Sequence, residues 1–234
     1  MDSLAQRCTT VLESTEARAG LAARLLAKHE VRTLAIIGPG VVGKICLASY
    51  MKMFVSIDKI YLKGSTVHSK TARRMKKFIE ANYPQVKQVV ICATLKEAVE
   101  NADIVSESAS IKMKEYPRYK KEWFKPGVLI ISSGTFYMER AELLDITKVL
   151  DNYEMYEEYA QEDESFIRKD KKGRHEATGC LGEDLVYMMQ EGVLKRESVL
   201  SLGEIILGKC RGRTSEDELI VVALGGLALE IVLA

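Results

Sequence analysis

The sequence predicts an α/β fold with a doubly wound, mostly parallel sheet. Two observations lead to this class: short apolar segments alternate with segments of helical periodicity up to about Lys148, and a glycine-rich turn joins the first predicted strand to a helix. Strands that alternate with helices are joined by right-handed crossovers and therefore lie parallel. A chain of 234 residues, 47% of them hydrophobic, is long enough to bury the core that such a sheet needs.

The first predicted element is a helix over about 10–29, because apolar and small residues recur there at helical spacing. Short apolar segments bounded by turn residues then predict five strands, at 34–37, 59–62, 88–92, 101–106 and 127–132. Helix-like stretches follow the second and third strands, at 70–80 and 96–100.

Beyond Lys148 the sequence changes in character. The segment 151–170 is acidic and rich in tyrosine, and a polar break follows at 171–174. The remaining predicted elements are a helix at 183–191, an apolar segment at 198–207 and a strand at 219–223.

The glycine-rich turn after the first strand is the most informative local feature. Gly38, Gly40 and Gly43 have the spacing of a dinucleotide-binding turn, which places a pyrophosphate at the positive end of the following helix. Such turns also occur without a ligand, and the strand–turn–helix context is what favours cofactor binding here. The predicted cofactor-binding residues of this turn are Gly38, Pro39, Gly40, Val41, Val42 and Gly43.

The end of the second predicted strand bears on which dinucleotide is bound. An NAD enzyme usually places Asp or Glu there to bind the ribose 2′-hydroxyl, whereas here Leu62 is followed by Lys63, Ser65 and Thr66. Basic and hydroxyl side chains suit a 2′-phosphate, so NADP(H) is favoured over NAD(H). A solvated Lys63 in a surface loop is the alternative interpretation.

Composition gives no support to several classes of protein. The formal net charge of +1 gives no electrostatic support for a nucleic-acid or membrane partner. Five cysteines without C-x-x-C spacing argue against a zinc site and a disulfide framework, so no metal is expected. The first residues carry no basic region followed by an apolar core, and no apolar run reaches the roughly 20 residues of a membrane span. A cytoplasmic location is therefore predicted.

Several motifs follow one another in the order seen in the ornithine cyclodeaminase and mu-crystallin family, which the chain resembles over nearly its whole length. They are Leu25-Leu-Ala, Leu34-Ala-Ile-Ile-Gly-Pro-Gly-Val-Val-Gly, Ala102-Asp-Ile-Val, Phe124-Lys-Pro-Gly, Leu202-Gly-Glu-Ile-Ile-Leu-Gly-Lys, Gly212-Arg-Thr-Ser-Glu-Asp-Glu and Gly226-Leu-Ala-Leu-Glu. The resemblance implies a Rossmann NAD(P)-binding domain at 30–205. It also implies a partial substrate and dimerisation domain, formed by an N-terminal helix at 1–29 and a returning segment at 206–234.

The same resemblance implies an NAD(P)-dependent oxidoreductase that acts on a small amino acid or imine. In the cyclodeaminase form of this chemistry, ornithine is converted to proline and ammonia through an imine, which is a lyase reaction. The cofactor supplies the hydride, and the protein must supply an acid/base group and cations for the carboxylate.

The chain departs from the family pattern at the substrate site. It begins almost at the long first helix, so a preceding segment with a substrate-binding Arg and Lys is expected to be missing. Arg18 is then the candidate cation for the substrate carboxylate. Phe136 stands where the family has its catalytic aspartate, and Glu139 is the nearest carboxylate that could take over acid/base work. Ser108 replaces a threonine that lines the cofactor.

These departures leave two function classes open. One is an ornithine cyclodeaminase-like enzyme with an impaired substrate site, and the other is a non-catalytic NADP(H)-binding protein resembling mu-crystallin, or a truncated remnant. A homodimer or higher oligomer is expected, because Leu21, Leu25, Ile220 and Val222 would lack covering from a complete substrate domain. Arg213 is expected to order the returning strand through an ion pair with a neighbouring carboxylate.

Overall fold

The computed structural model describes residues 2–109, 117–162 and 178–225, with side chains described from Ser14 onward except that of Glu162. The α-helices are α1 (Asp2–Leu26), α2 (Val41–Met53), α3 (Lys70–Asn82), α4 (Leu95–Val99), α5 (Arg140–Leu144), α6 (Tyr153–Glu162), α7 (Leu181–Gln190) and α8 (Leu202–Ile206). The strands are β1 (Thr33–Ile37), β2 (Lys59–Lys63), β3 (Gln88–Ile91), β4 (Ile104–Glu107), β5 (Arg118–Tyr119), β6 (Leu129–Ser132), β7 (Tyr137–Met138), β8 (Thr147–Leu150), β9 (Val199–Ser201) and β10 (Ile220–Ala223). The polar break at 171–174 and the Gly226 motif lie outside the described residues.

Eight of these strands form one parallel sheet in the order β3-β2-β1-β4-β6-β10-β8-β9, which confirms the predicted fold class. The remaining two, β5 and β7, make a small parallel ladder of their own. The order reverses next to β1, where β2 lies on one side and β4 on the other. Ligands of open α/β sheets bind outside the carboxyl ends of the strands at such a reversal.

Alternate strand residues feed two separate hydrophobic layers, one on each face of the sheet. Leu34 and Ile36 of β1 pack with residues of α1, α2, α3 and α8, whereas Ala35 and Ile37 pack with residues of α4, α5, α6 and α7. Both faces are therefore covered by helices, which explains why the strands consist largely of consecutive apolar residues.

The sequence analysis assigned 206–234 to a partial substrate and dimerisation domain, and in the structure this segment supplies β10, a strand of the main sheet. This strand pairs with β6 on one side and with β8 on the other, so the returning segment completes the eight-stranded sheet. Ile220 and Val222 are fully buried inside it, while Leu21 and Leu25 are half-buried. The two β10 residues therefore give no support to an uncovered dimerisation surface.

Arg213 ties the returning segment to the amino edge of the sheet. Its guanidinium donates to the backbone oxygens of Leu26 at 2.7 Å, Glu218 at 2.6 Å and Gly127 at 3.1 Å. The structural role is the one predicted, but the hydrogen-bond acceptors are carbonyls. The Glu218 carboxylate instead accepts from the Thr214 amide and the Thr147 hydroxyl.

Asp103, just before β4, joins three segments at the same edge. One carboxylate oxygen lies 2.6 Å from the ammonium groups of both Lys28 and Lys125. The other accepts from the Arg32 amide and from the amide and hydroxyl of Thr33, each at 2.8 Å. These contacts hold the pKa of Asp103 well below its ordinary value, against the opposing effect of burial, which is the largest single influence.

Candidate functional site

The loops that follow β1, β4 and β6 meet at the carboxyl edge of the sheet around Ala109. The Ser108 amide donates to Ile37 O at 2.8 Å, and Ala109 O accepts from the amide and hydroxyl of Thr135 at 2.8 and 2.9 Å. A Cβ on Gly38 or on Gly134 would lie 2.5 Å from backbone atoms of Ala109. The three loops are thus packed backbone against backbone, at the edge where open α/β sheets have their ligand crevice.

The glycines of the first turn occupy three different environments. Gly38 has a φ of +76°, which favours glycine. A Cβ on Gly43 would lie 2.8 Å from Gly38 O and 3.0 Å from the Ile36 side chain, so only glycine lets α2 approach β1 this closely. Gly40 has an ordinary φ of −92°, and the nearest atom to an added Cβ is 4.0 Å away. The space in front of Gly40 is open, as close approach of a ligand requires.

The amino end of α2 faces this open space. The helix begins at Val41, and its N-cap residue, Gly40, has no side chain to satisfy the first amides. Because these amides have no intrahelical acceptors and the helix dipole adds positive potential, they suit an anionic group. Val41 is 66% exposed, whereas Pro39 is buried beneath the turn. The predicted residues 38–43 therefore lie together at one helix start.

Ser108 belongs to the loop after β4 in this cluster. Its hydroxyl oxygen is buried and has no hydrogen-bond partner among the described residues. Buried polar atoms are nearly always paired, so this hydroxyl near Gly38 and Gly134 is able to bond a further group.

The loop after β2 adjoins the glycine turn, because the Gly38 amide donates to Lys63 O at 2.9 Å. Lys63 is half-buried and its ammonium group is turned onto the Gly64 carbonyl. Ser65 and Thr66 are exposed. The structure thus brings the three residues predicted to select the cofactor beside the turn, where the Thr66 hydroxyl accepts from the His68 amide at 3.2 Å.

Glu107, Tyr119 and Phe136 form a buried cluster that sequence reasoning missed. Glu107 is fully buried and accepts from the Ala109 amide at 2.7 Å and from the Tyr119 hydroxyl. Tyr119 stacks on Phe136 with ring centroids 4.8 Å apart. Burial raises the pKa of Glu107 to about 8, although both hydrogen bonds oppose this shift. The sequence signal for this cluster was a glutamate in an apolar strand. Its partner could not be predicted, because Tyr119 lies on another element.

Phe136 occupies the position where an acid was expected, and it is a core residue. It is only 1% exposed, and its amide donates to Gly179 O at 2.8 Å. Glu139 lies at the N-cap of α5, exposed, and accepts from the Tyr137 hydroxyl at 2.8 Å. Among the described residues, no hydrogen bond or ion pair joins the Glu139 side chain to the loops around Ala109.

Arg18 lies at the carboxyl edge, but its guanidinium already has a partner. It donates to the buried Asp151 carboxylate at 2.8 Å and to Gly225 O at 3.2 Å. Asp151 follows β8 and Gly225 follows β10, so Arg18 connects α1 to the ends of these strands. A substrate carboxylate would have to compete with Asp151 for this cation.

Sequence comparison identifies the family of this chain. The profile of the ornithine cyclodeaminase/mu-crystallin family matches residues 6–234. The chain belongs to this family. Among the residues that the structure describes, no helix is long and apolar enough to cross a membrane and no group of three or more potential ligands could hold a metal.

Curated relatives are similar at low identity. An N-((2S)-2-amino-2-carboxyethyl)-L-glutamate dehydrogenase of Staphylococcus aureus is 25% identical, over 92% of this chain and 56% of its own length. A Delta(1)-pyrroline-2-carboxylate reductase of Bacillus cereus is 28% identical, over 92% of this chain and 59% of its own length. The chain thus spans less than two thirds of the relatives it matches.

Solved structures share the fold. Delta(1)-pyrroline-2-carboxylate reductase of Thermococcus litoralis, in complex with NADH and L-proline, superposes with a TM-score of 0.68 at 21% identity, covering 93% of this chain and 60% of that one. An archaeal alanine dehydrogenase dimer with bound NAD also gives a TM-score of 0.68, at 22% identity, covering 96% of this chain and 61% of that one.

Proposed function

We propose that this protein binds a nicotinamide dinucleotide at the turn over residues 38–43 and uses it in oxidoreductase chemistry on a small amino acid or imine. The observation that carries the proposal is that the three glycines lie in different environments. Gly38 has a positive φ, Gly43 lets α2 pack closely on β1, and Gly40 faces open space. A purely structural turn would not need an open approach at Gly40 beside an uncapped helix start. Family membership supports the same assignment.

The residues present fit such a cofactor. The amides at the start of α2, from Val41 and Val42, would hold the pyrophosphate, and the unpaired Ser108 hydroxyl would bond a ribose or amide group further along the crevice. When bound, the nicotinamide supplies hydride transfer to or from the α-carbon of the substrate. The loops around Ala109 exclude water from beneath the cofactor, because they are packed without room for a side chain.

NADP(H) is the proposed preference. The residues from Lys63 to Lys70 include no carboxylate that could accept from a ribose 2′-hydroxyl, and Ser65 and Thr66 are exposed hydroxyls beside the turn. Lys63 would add positive charge once its ammonium leaves the Gly64 carbonyl. The relatives of known structure named above carry NADH or NAD, so this preference distinguishes the chain from them.

The substrate proposal is an imine or amino acid of the kind named for the relatives, with ornithine cyclodeamination as the family's alternative reaction. Glu139 as acid/base and Arg18 as carboxylate ligand stay predictions. A second candidate function, a non-catalytic NADP(H) binder like mu-crystallin, is favoured by the burial of Phe136 at the expected acid position. The proposal also includes a homodimer and a cytoplasmic location.

Cofactor binding is tested by fluorescence titration of the purified protein with NADPH and NADH. Gly40→Val leaves ordinary backbone geometry but fills the approach to the helix start, so affinity should fall at least about tenfold. Gly203→Val is the matched control, since an added Cβ there meets only Ser201 Oγ at 3.6 Å near the start of another helix. Equal affinity in wild type and Gly40→Val, with both folded, would remove the assignment.

The preference and the activity are tested on the same preparation. Lys63→Asp should shift the affinity ratio towards NADH, while Lys52→Asp at the far end of α2 should leave the ratio unchanged. Tighter wild-type binding of NADH than of NADPH would contradict the preference. Oxidation of reduced cofactor by Delta(1)-pyrroline-2-carboxylate would support an enzyme. Tight cofactor binding without turnover of this imine, of ornithine or of proline would support the non-catalytic alternative.

A further inference from the structure

We propose that Glu107 is a positioning residue of the dinucleotide site, acting through Ala109, and that binding of the cofactor is coupled to protonation of its carboxyl group. This inference rests on the proposed cofactor binding. It concerns a residue that is itself fully buried.

The first step is the position of Ala109. Its carbonyl holds Thr135 through two hydrogen bonds, and its backbone contacts Gly38 and Gly134 too closely to admit a side chain on either. The amide of Ala109 is fixed by Glu107 Oε1 at 2.7 Å. The Glu107 carboxyl group therefore fixes the position of Ala109, against which the loops after β1 and β6 pack.

The second step is the isolation of this carboxyl group. Its strand neighbours across the sheet are Ile37 and Ser132, neither of which carries charge. From the β5/β7 ladder it meets the Tyr119 hydroxyl, and Phe136 closes the far side of that ring. Among the described residues, Tyr119 is the titratable group that faces it, and no cation neutralises it.

The third step is the effect of the cofactor's negative charge on the Glu107 carboxyl group. A dinucleotide brings a doubly negative pyrophosphate to the same edge of the sheet, and like charges across a medium of low polarity repel strongly. Because burial already raises the pKa of Glu107 to about 8, a small further push is enough to protonate it near that pH. The neutral carboxyl still accepts from Ala109, and its own hydroxyl can donate to the Tyr119 oxygen. The loops thus keep their arrangement while the charge is removed.

The test measures the affinity of NADH or NADPH, whichever binds wild type more tightly, between about pH 7 and 9.5. Affinity of the wild type should fall roughly tenfold as Glu107 ionises. Calorimetry in buffers of different ionisation enthalpy should show proton uptake on binding near pH 8. In Glu107→Gln, which keeps an acceptor for Ala109, the affinity should be nearly constant with pH and the proton uptake near pH 8 should vanish.

Tyr119→Phe provides a second variant that keeps the aromatic stack. Loss of the phenol removes a hydrogen bond that lowers the pKa of Glu107, so the fall in affinity should move to higher pH. Tyr50→Phe is the control, because its equally buried hydroxyl bonds Ser106 on the same strand and does not touch Glu107. It should leave the pH dependence of affinity unchanged.

Failure of the proposed function and failure of this inference give different experimental results. Wild type that binds neither dinucleotide removes the proposed function and this inference with it. Binding whose pH dependence and proton uptake are the same in wild type, Glu107→Gln and Tyr119→Phe overturns the inference alone. If Glu107→Gln does not fold, the shift expected in Tyr119→Phe still decides the question.

Discussion

Replacing Asp103 by Asn should cost the protein a large part of its stability, and the cost should depend on pH. The Asp103 side chain is 4% exposed and accepts two ammonium groups and two backbone amides. In Asp103→Asn the side chain keeps one oxygen as a hydrogen-bond acceptor. The group that faces Lys28 and Lys125 becomes either an NH₂ group or an uncharged oxygen. Their side chains are 23% and 31% exposed, so both ammonium groups can recover hydration in part.

The magnitude follows from this count of contacts. Each hydrogen bond to a charged group contributes roughly 1.5–3 kcal/mol, and partial rehydration of the lysines offsets some of the loss of two such bonds. We expect the free energy of unfolding to fall by about 3 kcal/mol, which for a domain of this size lowers Tm by roughly 6–12 °C.

The pH dependence has a definite sign. The pKa of Asp103 is lower in the folded protein than in the unfolded chain, where it is about 3.9. Its contribution is therefore complete above the unfolded pKa and is lost as pH falls towards and through the folded value. The difference in unfolding free energy between wild type and Asp103→Asn should be constant from about pH 7 to 5 and should shrink below about pH 4.

Urea unfolding followed by the fluorescence of the single tryptophan, Trp123, measures this difference at each pH. Asp58→Asn is the matched control, since Asp58 is 28% exposed and its partners Lys87 and Arg32 are mostly in solvent. The control should cost less than about 1 kcal/mol. If Asp103→Asn costs no more than the control, or if the difference persists unchanged at low pH, the assigned role of Asp103 is wrong.

Three further substitutions test other parts of the structure by their unfolding free energy. Arg213→Lys should cost about 2–3 kcal/mol, because lysine cannot reach several carbonyls at once, while Arg211→Lys at an exposed position should cost less than about 0.5; equal effects would contradict the role of Arg213. Phe136→Asp should destabilise by about 3–5 kcal/mol, since it breaks a stack and buries a charge; a stable variant that gains turnover would show that the phenyl ring blocks an otherwise intact acid site. Gly43→Ala should cost about 1–3 kcal/mol through its clash with Gly38 O, whereas Gly40→Ala should be close to neutral; the reverse order would refute the assignment of their environments.

The glycine turn of the candidate site could be predicted from the sequence, because its conformation depends on residues that are adjacent in the chain. The turn at Gly38 follows a β-strand and begins a helix within six residues, and each glycine has the local geometry that its spacing indicates. The strand pattern likewise identified β1 to β4 and β6, since each is a short apolar segment between turns.

The remainder depends on contacts that are distant in sequence. Strand β8 was missed because Lys148 looks like an exposed residue, whereas it is buried and its ammonium group donates to Leu143 O and Ile146 O around the end of α5. The environment of Glu107 was likewise missed, because the Tyr119 hydroxyl that donates to it lies on another element. In both residues a polar group finds its partner only when another element folds against it.

The central place of β10 constrains how the chain can fold and be shortened. Its neighbours β6 and β8 do not pair with each other, so the sheet has a gap through its middle until residues 220–223 are in place. On the ribosome, the earlier strands must wait until this later segment is synthesised, which exposes two unpaired edges during that time. A chain cut before residue 219 would not lose a dispensable tail. It would be left with two open half-sheets prone to pair with those of other copies.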